Sequence, residues 1–123
     1  VQFSQLDFSA AIIEGANFQA MARENTDFRS AQISRTNFSQ ALLDHCDFSQ
    51  ASGENTQFRS ARLNYSQFKQ ANILQAMFTK AELNYADFSG ANCYGADFLR
   101  ASIDQARFSQ ANLDATLLQD WRP

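Results

Sequence analysis

The chain has 123 residues, the size of one domain, and ten basic against thirteen acidic residues give it a net charge of −3. Charges so balanced make no phosphate-tracking basic surface, and four Gly with one Pro are too few for a loop-rich or disordered chain. No apolar run reaches the roughly 18 residues of a membrane-spanning helix, and no signal peptide is visible.

All twelve phenylalanines fall on one series of step five: Phe3, Phe8, and then every tenth residue from Phe18 to Phe108. Taking each position of that series as a centre, the remaining centres are Leu or Ile except for Arg23, Gly53 and Cys93. The residue two before a centre is small, most often Ala, with Thr at Thr26, Thr36, Thr56 and Thr116. The residue just before it is often Asp or Asn, and the two after it are mostly Ser, Gln, Arg, Glu or Asn. A strict period over the whole length predicts a repeat architecture.

A step of five suits neither the helical period of about 3.6 nor the strand period of about 2. It fits a polygon in which five residues make one side and a bend follows at each corner. The centre and the small residue two before it then point inward, and small pairs with large to fill the interior. The unit Ala-(Asp/Asn)-(Phe/Leu)-x-x resembles the pentapeptide-repeat proteins, and the resemblance runs from residue 1 to about residue 120. It implies an all-β fold, a right-handed quadrilateral β-helix with four pentapeptides to a coil. It also implies that the Asp or Asn before each centre helps hold the bonding between coils.

Read onto that fold, the chain divides into about six coils, 1–20, 21–40, 41–60, 61–80, 81–100 and 101–120, with residues 121–123 as a capping tail. In the first coil Phe8 and Phe18 found two Phe ladders on opposite faces, which aliphatic ladders should keep apart. The second coil carries Arg23 at a centre. Burying an unpaired charge is too costly, so Arg23 is expected to turn to water, with residues 21–25 distorted and Met21 filling the gap. In the third coil Gly53 removes a centre side chain between Ile33 and Ile73, which predicts a small dent or bulge. Cys46 and Cys93 both point inward, on different faces and two coils apart, so they should be free thiols rather than a disulfide. At the far end Trp121 is expected to cover the last coil. The missing initiator Met and the bare N-terminal coil suggest a piece of a longer bacterial protein.

Chemistry is sparse along this rod. A single His, no CxxC, no HExxH and no Gly-rich phosphate loop give no catalytic residues, no metal site and no cofactor site. The column Asp7, Asp27, Asp47 and Asp87 repeats because the unit repeats, and it reads as structural. One outward column is less expected: His45, Tyr65 and Tyr85 should stack coil upon coil, with Tyr94 on a neighbouring face. These four form the candidate interaction surface, which makes the chain a non-enzymatic protein-interaction or scaffold module with a protein partner. End-to-end self-association through an exposed rod end is a further option. The competing reading, implied by the resemblance, is a DNA mimic that regulates a type II topoisomerase. Against it, the four faces tally −2, −1, −2 and +1, so none is strongly acidic. No nucleic acid and no membrane are expected as partners. The location is expected to be cytoplasmic, with a secreted effector as the other option.

Overall fold

The computed structural model describes residues 6–118. From Asp7 to Asp97, every fifth residue forms a parallel bridge with the residue twenty further on, as Asp7 does with Asp27 and Asp97 with Leu117. The bridges are isolated and separated by corners, so the described residues contain no extended strand. Four short sides therefore complete each turn of a solenoid.

The corner explains which residues may follow a centre. The second residue after it has φ between 56° and 63° at every non-glycine corner from Ala10 to Ala115. Except after Arg23 and Gly53, the N–H of the next inward residue then donates to the carbonyl of the centre, as Ala31 does to Phe28 at 3.1 Å, closing a turn of type II character. A β-branched side chain tolerates positive φ poorly. No Val, Ile or Thr stands at this position anywhere in the sequence.

The hydrogen bonds account for the polar half of the repeat. In the side 27–31, the N–H of Phe28 donates to Asp47 at 2.8 Å and that of Ser30 to Ser49 at 3.0 Å, both in the next coil. Bonds also run back down the rod, as from the N–H of Gln32 to the carbonyl of Ala11 at 2.9 Å. One N–H per side is left, that of the residue after the centre. Asp27 takes it, accepting from Arg29 N–H at 2.9 Å, and Asp7, Asn17, Asn37, Asp47, Asp87 and Asp97 do the same in their corners. This is an Asx-type bond within one coil. Among the described residues, Asx side chains before the centres bond one another between coils where Asn92 donates to Asn72 at 3.1 Å and Asn112 to Asn92 at 3.2 Å.

Phe28, Phe38, Phe48, Phe58, Phe68, Phe78 and Phe88 are fully buried, with Leu43, Leu63, Leu83, Ile33 and Ile73 on their flanks. Along each ladder, rings twenty residues apart stack at 4.5–5.6 Å between centroids. The two ladders are not kept apart by aliphatic residues. They meet across the interior edge to face, as Phe28 and Phe38 do at 5.3 Å and 82°. A Phe side chain is long enough to reach the middle of so narrow a coil, and the edge-to-face contact places positive ring edges on negative ring faces. The second residue after a centre is exposed at every described corner except Gly95, but the residue directly after it is half-buried in much of the middle of the rod, as at Ser34, Ser49 and Asn84. Asp44 is buried at 8% because Arg62 and the next coil close over it.

The breaks in the repeat are resolved quietly. Arg23 is exposed, and the distortion is confined to its corner: Ala22 still bridges Leu42, and the Arg23 and Asn25 N–H groups donate to Leu42 and Asp44 at 3.1 Å each, but the Thr26 N–H no longer closes on the Arg23 carbonyl, which accepts the Thr26 hydroxyl at 2.7 Å instead. Arg has a stem long enough to carry its charge outward while the backbone stays in the ladder. Met21 is half-buried against the core. At Gly53 the ladder also continues, its N–H donating to Asn72 at 2.9 Å. The irregularity is local: the corner 54–55 is an open bend without the usual bond from Thr56 N–H to the Gly53 carbonyl, and the backbone here closes on the coil before it. A Cβ on Gly53 would lie 2.5 Å from the Ser34 nitrogen and 2.7 Å from the Ile33 carbonyl carbon. Cys46 and Cys93 are buried free thiols. The capping tail 121–123 and Trp121 lie outside the described residues.

Ser66 occupies an inward site where Ala is usual. It is fully buried, and its hydroxyl has no hydrogen-bond partner. We expect Ser66→Ala to raise stability by about 1 kcal/mol, since an unsatisfied buried hydroxyl disappears. Urea unfolding at unchanged slope reads this as a higher midpoint; a lower midpoint would mean that the hydroxyl is satisfied in solution.

Candidate interaction surface

The column His45, Tyr65 and Tyr85 stands at one corner of the solenoid, where φ is 63°, 61° and 62°. Positive φ at a corner aims each side chain away from the core. The twenty-residue register then puts the rings in line: His45 and Tyr65 stack at 4.8 Å and 1°, Tyr65 and Tyr85 at 5.0 Å and 3°. Their backbones are fixed by bonds from His45, Tyr65 and Tyr85 N–H to Asn64, Asn84 and Asp104 carbonyls at 2.8–2.9 Å. Tyr65 and Tyr85 remain 50% and 53% exposed. Three rigid rings are thus presented to solvent at little further entropic cost.

A second column stands beside the first, and sequence reasoning missed it. The Asp44 carboxylate accepts the Asn64 N–H at 2.9 Å, the Asn64 side chain accepts from Asn84 at 3.0 Å, and that of Asn84 from Asp104 at 2.9 Å. Asx residues recurring at a step of twenty, one place before the aromatic column, were the available signal. On the other flank the rings wall an open groove of about 490 Å³ that includes Lys69, Asp87 and Arg107. Lys69 and Asp87 approach to 4.0 Å. Tyr94 does not join the column. It lies nine residues past Tyr85, close to half a coil, on the opposite face, and no ring contact links the two among the described residues.

Hydrogen bonds from Arg29 hold the Asp27 carboxyl below its usual range, and bonds from Ser9 do so for Asp7. Burial works against ionisation at Asp87, but the Ser89 bonds and the Lys69 and Arg107 charges outweigh it. No group of three or more His, Cys, Asp or Glu that could hold a metal occurs among the described residues. Burial pushes both the Cys46 and Cys93 thiols up to about 12, so neither forms thiolate near neutrality. In the folded protein we expect both thiols to resist a disulfide reagent and to react fully in denaturant; fast native labelling would show that the core opens.

Single-residue parallel bridges at a step of twenty, with a turn at every fifth residue, define a quadrilateral β-solenoid. Pentapeptide repeats match residues 36–73, 56–92 and 81–120, in eight copies, and the chain belongs to that family. It is similar to the crystal structure of a pentapeptide repeat protein, Rfr23, from the cyanobacterium Cyanothece 51142, with a TM-score of 0.83 and 19% identity over 92% of this chain and 91% of that one. That likeness carries the right-handed quadrilateral β-helix. A pentapeptide repeat protein of the Arabidopsis thaliana thylakoid lumen matches at 30% identity and a TM-score of 0.49, over 75% of this chain and 57% of that one. A trypsin-treated QnrB1, a plasmid-mediated fluoroquinolone resistance protein, matches at 18% identity and a TM-score of 0.46, over 85% of this chain and 70% of that one. No curated protein sequence matches. No helix among the described residues is long and apolar enough to cross a membrane.

Proposed function

We propose that this chain is a non-enzymatic protein-interaction module: a rod of six coils over residues 1–120, capped by 121–123, that docks a protein partner along the His45, Tyr65 and Tyr85 column. The observation that carries the reading is the exposure of that column. Each tyrosine is about half open while its ring plane and backbone are already fixed. Aromatic side chains held this way supply contact area with little ordering cost, which is the usual make-up of an interface hot spot. Tyr94, on the far face, stands apart from this docking surface. The buried free thiols are compatible with a reducing cytoplasm.

A photoreactive side chain at exposed Ser102, beside the column, tests the docking surface against the same group at Gln32 on the opposite face. In lysate of the source cells we expect discrete protein adducts from Ser102 and none from Gln32. Equal adducts from both faces, or none from either, would overturn the reading. The DNA-mimic alternative lacks the field it needs. Duplex carries one charge per about 1.7 Å, whereas this chain nets −3. We therefore expect no inhibition of gyrase supercoiling at micromolar protein; inhibition would restore that alternative.

A further inference from the structure

We propose that the partner of this surface is a second copy of the chain, packed antiparallel on the face that carries residues 61–65 and 81–85. The inference rests on the docking reading above and names its occupant. The support is the order of charges down the face. A two-fold axis lying across the rod, midway between the coils of Tyr65 and Tyr85, turns each column onto itself in reverse. Tyr65 of one copy then meets Tyr85 of the other, and exposed Arg62 meets exposed Glu82, each pair occurring twice by symmetry. In the neighbouring column Asn64 meets Asn84, whose amides can exchange hydrogen bonds.

No other nearby register does as well. An axis moved by half a coil sets Arg62 against Arg62, or Glu82 against Glu82. An axis moved by a whole coil toward the N-terminus leaves Arg62 facing Leu42. In the chosen register the one like-charged meeting is Asp44 with Asp104. Asp44 is buried at 8% and its charge is already taken by Arg62 at 2.7 Å, which mutes that repulsion. Charges thus select one register on a face whose apolar contact, Tyr65 and Tyr85, runs along one edge, level with the two-fold axis.

Sedimentation of the wild type from about 1 µM to about 100 µM reads the association. We expect a monomer–dimer equilibrium within that range. Arg62→Glu and Glu82→Arg each place like charges opposite one another in a homodimer, and either alone should weaken association by more than about tenfold. Mixed together, the two variants regain opposite charges at both contacts, so a one-to-one heterodimer should form. Thermal melts check that each variant is folded, because Arg62 also holds the buried Asp44 carboxylate at 2.7 Å and Glu82 accepts the Asn64 amide at 3.3 Å; the regain on mixing then separates a lost contact between copies from a loss of fold. A wild type that stays monomeric, or variants that dimerise alone and gain nothing on mixing, would overturn the proposal. In the first case Ser102 adducts with another protein would leave the docking surface standing without self-pairing.

Discussion

Phe68→Ala should lower stability by about 3–5 kcal/mol, the cost of emptying a closed, close-packed aromatic site. Phe68 is fully buried and stacks on Phe48 at 4.9 Å and Phe88 at 4.7 Å. It also meets Phe58 at 5.7 Å and Phe78 at 5.6 Å edge to face. The change therefore cuts one ladder and loosens the other. Phe18 is half-buried near the N-terminal end, so Phe18→Ala should cost less than Phe68→Ala. Urea unfolding of the two variants side by side checks the ranking. Equal losses would mean that the ladders do not carry the stability of the rod.

Gly53→Ala should also destabilise, by about 1–3 kcal/mol, the range of overpacking in a well-packed site. The repeat alone argues the opposite: Gly53 stands at a centre between Ile33 and Ile73, and a larger residue there would complete a ladder. The structure reverses that expectation. The new Cβ would press on the Ser34 nitrogen at 2.5 Å and the Ile33 carbonyl carbon at 2.7 Å, and backbone atoms cannot swing aside as a side chain can. A thermal melt decides between the two, since a raised midpoint would show that the coil shifts to seat the added methyl group.

The inward half of the fold is legible in the sequence because packing is periodic. Phe at a step of ten and Ala two before each centre give the register, and the bridges from Asp7↔Asp27 onward follow it. Contacts between ladders are not legible in the same way. Whether Phe28 reaches Phe38 depends on the width of the coil, which no spacing encodes. The polar half is harder still. An Asp before each centre could bond within its corner or between coils, and only the geometry of the unmet N–H after the centre selects the first. At Arg23 the cost of burial predicted exposure correctly, but not that a flexible stem would keep the distortion to one lost turn bond, with the ladder between coils intact. On the surface, the twenty-residue step by itself places His45, Tyr65 and Tyr85 in line, while the orientation of their rings follows from the positive φ of the corner.

The most direct test of the interaction surface is adduct formation from Ser102 in a Tyr65→Ala, Tyr85→Ala double variant. Ala is native at corners of the same φ, such as Ala20 and Ala115, so the backbone accepts the change. The lost ring stacking should cost only about 0.5–1.5 kcal/mol per pair, and the rod should stay folded. We expect the Ser102 adducts to disappear from a variant whose thermal melt remains cooperative. Undiminished adducts from the folded double variant would contradict the surface role of the column and return the tyrosines to support of the coils alone.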